Sequence, residues 1–383
     1  MKKKRFCKKY FKKKAQELFS SWRRIKRFLR KLEREFFFNF FLKPAKFKII
    51  FKKQLPRISF WLFFITLLLV FFPKINSNAK KYAERKYFVP RGITLFVEKN
   101  QNPIQNGSPE FPFSEIEPAL ELSSKNNSFR FIQVNQGVYE TKEALFVPHR
   151  KNLIGKGLPT VKKITEDGQV IFFEGDGMIA GFKIEQGRYG IYISSQSQRV
   201  SLQNCQISGA KFFGVYNKVE SLEKKDLHLN IYHCHVFENK KQGLYLQSGF
   251  FRIKSCLVEK NGEEGIDHHS NYTSLIENTI ISQNGEGGIE TELDRSFLTV
   301  KNSTITKNQN SGINLQTKSL APSKIEVLDS QIEENGNFGI RCAIHSAAPY
   351  SYFQKRINLK ETAKNNLLKN NGLREIDPNC FLF

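Results

Sequence analysis

One short pattern returns four times between Phe251 and Arg341, and it limits what the chain can build. It reads Phe251-x-Ile253…Val258…Asn261…Gly265-Ile266, and then Ser274-Leu275-Ile276…Ile281…Asn284…Gly288-Ile289. It returns as Leu298-x-Val300…Ile305…Asn308…Gly312-Ile313 and as Ile325-x-Val327…Ile332…Asn335…Gly339-Ile340. With each Gly as origin, the register extends back through Gly243, Gly214 and Gly190. The residue seven before the Gly is Ile207, Val236, Val258, Ile281, Ile305 or Ile332. The residue twelve before it is Leu202, Ile231, Ile253, Ile276, Val300 or Val327. Successive Gly-to-Gly steps are 24, 29, 22, 23, 24 and 27 residues. The apolar positions keep register while the steps vary, so the extra residues fall at one corner of the repeat.

The apolar residues alternate in short bursts, which is the period of a strand and not of a helix. A unit this short has no room for a ten-residue helix beside its strands. Asn and Gly are expected at the corners, where left-handed backbone is needed. Three short strands and three turns per unit form one rung of a parallel β-helix. A leucine-rich repeat has similar length, but Leu is sparse at the required positions. The expected fold class is therefore all-β, a single-stranded right-handed parallel β-helix.

Charge divides the 383 residues. Residues 1–57 hold 22 Lys and Arg against 3 Asp and Glu, whereas from Gly92 onward 33 basic residues face 32 acidic ones. The net charge of +25 thus belongs mainly to a tail, with runs such as Lys2-Lys3-Lys4-Arg5 and Arg23-Arg24-Ile25-Lys26-Arg27. Such a tail suits either nucleic acid or anionic lipid. The sequence that follows favours lipid and makes nucleic acid an unlikely partner. Residues 58–73, Ile58 to Phe72 closed by Pro73, carry no charge. Fifteen residues rise about 22 Å as a helix, short of a ~30 Å hydrocarbon core unless flanking residues extend it.

The segment reads as a transmembrane anchor or as the apolar part of a secretion signal. The positive-inside rule places the N-terminus in the cytoplasm and the β-helix outside, with residues 1–73 meeting membrane lipid. Ser77-Asn78-Ala79 offers a cleavage site after Ala79, in which case the product is secreted. Residues 74–92 read as a linker, and residues 93–383 as the β-helix.

Ile93–Val97 is expected as its first strand. Ser114, with Glu117 three residues on, reads as a capping box opening a short helix whose apolar face is Ile116, Ala119, Leu120 and Leu122. Such a helix would cap the open end of the solenoid. Phe129–Val134 and Gly137–Thr141 form the first rung. At the far end, Asn365 to Leu373 reads as a last imperfect rung and Asp377 to Phe383 as a closing cap.

Gly107…Pro112-Phe113…Ile116…Ala119-Leu120, followed by Ile132-x-Val134-x-x-Gly137-x-Tyr139-x-Thr141, resembles the N-terminal cap and first coil of exported right-handed β-helix proteins. These include pectate lyases, polysaccharide epimerases and the carbohydrate-binding and sugar-hydrolase β-helices. The resemblance runs from about Ile93 to Phe383 and implies the fold more than any one activity.

Two columns read as structural. Cys205, Cys234 and Cys256 stand nine before their Gly, and Thr279, Ser303 and Ser330 continue the column as small packed residues. Asn239, Asn261, Asn284, Asn308 and Asn335 stand four before it, as a hydrogen-bonded ladder. Cys342 and Cys380 can pair near the C-terminal cap. No metal-ligand spacing is present.

Chemistry is expected on the outward column after each Gly-Ile. Two residues past the Gly stand Tyr192, Tyr216, Tyr245, Asp267, Glu290, Asn314 and Arg341. Four past it stand Ser194, Lys218, Gln247, His269, Glu292, Gln316 and Ala343. Asp267, His269, Glu290, Glu292 and Arg341 are the candidate catalytic residues. Tyr192, Tyr216, Tyr245, Asn314 and Gln316 are the candidate substrate-binding residues. Carboxylates about 5 Å apart raise each other's pKa or hold a cation such as Ca²⁺, and tyrosines stack on sugar rings. Gly265-Ile266-Asp267-His268-His269 resembles the Asp-Pro-His motif of mannuronan C5-epimerases. By that resemblance Asp267 and His269 are catalytic, with Glu290 or Glu292 as the acid of the next rung. His268 replaces the family's Pro, Ser270 its following acid, and Glu264 stands where a Tyr is usual.

Two functions are open to such a chain. It binds and modifies an acidic polysaccharide as a lyase, epimerase or hydrolase, or it is a non-catalytic surface scaffold or adhesion protein. The inserts Lys218–Asp226, Thr317–Lys324 and His345–Phe353 share the variable corner, where they can wall a groove.

Overall fold

A computed structural model describes residues 93–217, 227–270, 272–293, 297–317, 324–344 and 366–380. The basic tail, the apolar segment at 58–73, the linker and most of the three inserts lie outside the described residues. Among the described residues, no helix is long and apolar enough to cross a membrane.

The chain coils in a right-handed sense through three ten-stranded sheets, all of whose pairings are parallel. Sheet A runs from Ile93–Val97 to Lys324–Leu328. Sheet B runs from Val138–Thr141 to Leu367–Lys369, and sheet C from Leu145–Val147 to Arg374–Ile376. Each rung visits A, B and C in turn. Leu202, Ile231, Ile253, Ile276, Val300 and Val327 are successive register partners in sheet A, and Ile207 to Ile332 are partners in sheet B. All are buried. At roughly 1.5–3 kcal/mol per fully buried aliphatic side chain, these stacked columns are the main stabilising term of each rung.

The Asn ladder is complete. Asn239, Asn261, Asn284, Asn308 and Asn335 each pass an Nδ2–H to the Oδ1 of the next, ending on Asn371, at 2.9–3.0 Å. From Asn261 to Asn371, each Oδ1 also accepts the backbone N–H of the previous Asn, at 3.1–3.2 Å. At the ladder corner the left-handed residues are not these asparagines but the ones just before them: Glu238, Lys260, Gln283, Lys307 and Glu334. At the neighbouring corner, before the small-residue column, the expected left-handed Asn does occur, at Asn204, Asn278 and Asn302. Gly265 is required for space, since a Cβ would stand 2.7 Å from Asn284 Nδ2 and 2.9 Å from the Gly288 carbonyl oxygen.

The small-residue column behaves alike. Cys205, Cys234 and Cys256 are free thiols buried inside, while Thr279, Ser303 and Ser330 use their hydroxyls to receive backbone N–H groups of the previous rung. Cys342 and Cys380 form a disulfide that ties the strand Phe338–Ile344 to the closing 3₁₀ turn Pro378–Cys380. Strands Leu367–Lys369 and Arg374–Ile376 make the last rung.

The N-terminal helix, Ile116–Lys125, packs on the first strands of sheets A and C with Ile116, Ala119 and Leu120 buried. The expected capping box does not form. Glu115 is the N-cap and makes no side-chain cap bond, because Ser114 is drawn away to Gln105: its N–H and its Oγ–H both donate to Oε1, at 2.9 and 3.1 Å. Leu122 is only partly buried.

Candidate functional site

Strand alternation decides which residues of the Gly-Ile strands face out. On the outer face of sheet C, successive rungs align Phe146, Phe172, Tyr192, Tyr216, Tyr245, Asp267, Glu290, Asn314 and Arg341. A second row pairs Gln247 with His269, and Glu292 with Gln316 and Ala343. The expected strip therefore exists in one continuous register. Ser194 lies at its edge, and Lys218 is outside the described residues.

The aromatic half is wider than the three expected tyrosines. Phe172 stacks on Tyr192 at 5.3 Å, and Phe146 meets Phe172 edge-on at 5.4 Å. Tyr189 and Phe213 each stack on Tyr216, and Phe213 also on Tyr245. Tyr216 is consequently buried, and the accessible aromatic surface is offered by Phe146, Phe172, Tyr192 and Tyr245.

Where the aromatics end, titratable groups begin. His269 lies between two carboxylates, with Nδ1 2.7 Å from Glu292 Oε2 and Nε2 2.5 Å from Asp267 Oδ1. The second contact sets the buried Asp267 carboxylate directly against the imidazole. Burial works against charging the imidazole, but Asp267 and Glu292 outweigh it and lift His269 to about 9. It is a fixed cation at neutral pH. Burial, then the negative charge of Asp267, raises Glu290, against a 2.8 Å hydrogen bond from Asn314 Nδ2. Burial raises Tyr245, as does Asp267, while its bond with Gln247 opposes the shift.

His268 faces inward. It is fully buried, with Nδ1 2.9 Å from Thr291 Oγ1 and Nε2 2.8 Å from Ser274 Oγ. Burial, then the neighbouring His269 charge, depresses it to about 3, so it is a neutral core histidine. Glu264 is a titratable group beside the strip that was not among the expected site residues. It is buried one residue before Gly265, accepts a 3.0 Å bond from Gln242 Nε2, and is pushed up to about 8 by burial and by a hydrogen bond with Glu286. Burial thus favours its protonated form, and the charge of Glu290 adds to the shift.

Asp267, His269 and Glu290 place ligand atoms within 4.8 Å of one another. Asn314 Oδ1 is a buried acceptor with no hydrogen-bond partner among the described residues, while Asp267 Oδ1 faces the His269 imidazole. An unsatisfied amide oxygen beside two carboxylates matches the hard-oxygen preference of Ca²⁺, so Asp267, Glu290 and Asn314 would hold such an ion.

The profile of the family described as "Right handed beta helix region" matches residues 125–280 and 269–355. The chain belongs to the right-handed β-helix family. No curated protein matches the sequence. Among solved structures, this β-helix is similar to a pectate lyase, with 13% identity over 66% of this chain and 69% of that one at a TM-score of 0.44. It is also similar to a variant of the periplasmic alginate epimerase AlgG, with 13% identity over 64% of this chain and 73% of that one at 0.44. The Dettilon tailspike protein matches with 15% identity over 64% of this chain and 50% of that one at 0.45.

Within this β-helix, Asp267, His269, Glu290 and Glu292 form one cluster, with Asn314 attached through Glu290 and Tyr245 ring-to-ring with His269 at 5.9 Å. Gln316 and Arg341 lie in register one and two rungs beyond Glu292 and Glu290.

Proposed function

We propose that this is an exported or membrane-tethered β-helix protein that binds a polysaccharide along the outer face of sheet C. The observation that carries the reading is continuity: Phe146, Phe172, Tyr192, Tyr216 and Tyr245 run in register straight into Asp267, His269 and Glu290. Aromatic faces suit sugar rings, and a polymer laid across the rungs would meet the titratable cluster next.

The reaction class we infer is acid–base chemistry at a sugar carbon, as in a lyase or epimerase. Glu290 is the candidate base. Glu264 is the candidate acid, held protonated by burial, and His269 supplies positive charge where an oxyanion develops. The cluster carries more carboxylate than cation. An acidic polymer therefore requires a divalent ion between it and the strip, held by Asp267, Glu290 and Asn314; a neutral polymer does not.

Full-length protein tested against neutral and acidic glycans, with Ca²⁺ or with EDTA, examines both parts. Tyr192→Ala is expected to weaken retention about tenfold, the scale of one lost aromatic contact in a binding face. Asp267→Asn and Glu290→Gln are expected to abolish product while the fold is kept. If Asp267→Asn and His269→Ala match wild type with every glycan, the strip is not the site.

A second reading has its own support. Both ring nitrogens of His269 are engaged by the chain's own carboxylates, which suits a rigid binding surface as well as a catalyst. Retention of a glycan with no product from wild type over long incubation would establish the non-catalytic scaffold.

A further inference from the structure

A different face of the molecule carries a cleft of opposite character. It measures about 480 Å³ and opens on the outer face of sheet A near the N-terminal end, on rungs that precede the acidic cluster. Asn152, Ser201 and Asn230 line its floor in one register row across sheet A, with Met178 between Asn152 and Ser201 and Phe131 at the apolar end of that row. Arg130, Arg150 and Arg199 stand around it, all exposed. None of these guanidinium groups has an ion pair or hydrogen bond to a carboxylate among the described residues.

The one acid in the lining, Asp176, is already committed. Its Oδ1 accepts the backbone N–H of Gln198 and of Arg199, each at 2.8 Å, which shapes the corner that presents Arg199. Its carbonyl accepts the N–H of Arg150 at 2.6 Å, and Arg150 sits there in the left-handed region at φ 61°. A residue with a Cβ is uncommon in that conformation, and here it aims a guanidinium at the cleft. Beneath the rim, the buried Lys151 ammonium turns away to the carbonyls of Phe129, at 2.9 Å, and of Asn126, at 3.3 Å, and Arg130 lies close enough to lower its pKa after burial has done so. The cleft therefore has three unpaired guanidiniums against one occupied carboxylate.

We propose that this cleft is a binding site for a phosphate or sulfate ester borne on a sugar-sized group. Two charges in excess call for a dianion rather than a single carboxylate. Arginine forks bind tetrahedral oxyanions through parallel N–H bonds, and the Asn and Ser floor can take the hydroxyls of an attached ring. The volume admits a monosaccharide with its ester group. A neighbouring row runs from Arg199 to His228 and Phe250, whose rings stack at 4.6 Å, so a longer glycan has an aromatic path onward. The site is separate from the sheet C strip and stands whether or not that strip binds polysaccharide.

Calorimetric titration of the full chain at low salt, with glucose 6-phosphate, glucose 6-sulfate and glucuronate as probes, tests it. The two esters should bind, with glucuronate at least tenfold weaker and binding falling as salt is raised. Arg150→Gln and Arg199→Gln should each weaken the esters about tenfold, and the double variant should lose them. Arg374→Gln, an exposed guanidinium on the last strand of sheet C, should not change them. A lipid headgroup carries the same chemistry. A second arm therefore compares wild type with the double variant for sedimentation with phosphatidylcholine vesicles, with and without phosphatidylglycerol. Vesicle binding lost in the double variant without any binding of the soluble esters would make the headgroup the source of the anion. Equal binding by wild type and the double variant in both arms overturns the proposal, as does glucuronate binding as tightly as the esters.

Discussion

Removing one asparagine from the ladder is the sharpest test of how the rungs hold the strip. Asn284 is fully buried, and its Oδ1 accepts both Asn261 Nδ2–H at 3.0 Å and the Asn261 backbone N–H at 3.1 Å. Its own Nδ2–H group donates to Asn308 Oδ1 at 2.9 Å. Asn284→Ala removes the acceptor of two buried N–H groups on Asn261. At about 1–3 kcal/mol for each orphaned group, the expected loss is about 2–6 kcal/mol. Asn284→Asp keeps the acceptor but sets a second oxygen against Asn308 Oδ1. It should be at least as damaging at neutral pH and partly recover on acidification, when the protonated acid donates again. Ser303→Ala is the calibrating variant, since it orphans only the Thr279 N–H and should lose about 1–3 kcal/mol. Urea unfolding followed by circular dichroism reads all three. Because Asn284 Nδ2 also borders Gly265, glycan retention should fall with Asn284→Ala even where the protein remains folded. A loss below 1 kcal/mol for Asn284→Ala would refute the view that the ladder is a satisfied buried network.

The two adjacent histidines should give opposite pH limbs. His268 is neutral when folded and titrates near 3, so the unfolded chain gains its proton first; stability should fall below pH 6.5, by about 2 kcal/mol at pH 5, and His268→Gln should flatten that limb. His269 is raised to about 9, so its contribution of about 3 kcal/mol is fully present below pH 6.5 and is lost as pH rises through 9. Urea midpoints at pH 9.5 for His269→Ala and wild type should converge. Reducing Cys342–Cys380, which lie 38 residues apart, should destabilise the C-terminal rung by about 4 kcal/mol. Proteolysis within residues 366–380 on adding dithiothreitol would report it.

Repetition made the fold legible. Apolar, Asn and small-residue columns hold fixed distances from the Gly, so rung, register and inward face followed from counting, and the parallel pairing of Asp267 with Glu290 followed with them. Counting does not give depth. Tyr216 and Asp267 occupy outward positions yet are buried, because Phe213 and Tyr189 cover the first and the cluster crowds the second. Glu264 precedes the Gly at a turn, where a charged residue normally reads as solvated. Only the neighbouring rungs, with Gln242 on one side and Glu286 on the other, make it an acid that keeps its proton. Ser114 failed as a cap for the same kind of reason: its competitor, Gln105, is nine residues away in sequence.

The near-balance of charge from Gly92 onward concealed a segregation. In a solenoid, side chains 22 to 30 residues apart become neighbours, so sign is sorted by column and rung and not by local sequence. Asp267, Glu290 and Glu292 gather on sheet C around His269, while Arg130, Arg150 and Arg199 gather on sheet A around an Asp176 already bound to backbone. Each cluster is short of counter-charge among the described residues. The acidic cluster is therefore suited to a cation, or to a neutral sugar that tolerates carboxylates, and the basic cleft to an anion. A polymer carrying esters at intervals could meet both faces at once, and effective concentration then makes the pair bind more tightly than either face alone. Linking the two measurements decides this: if Arg199→Gln weakens retention of a sulfated glycan but not of a neutral one, both faces serve one ligand; if it weakens neither, they serve two.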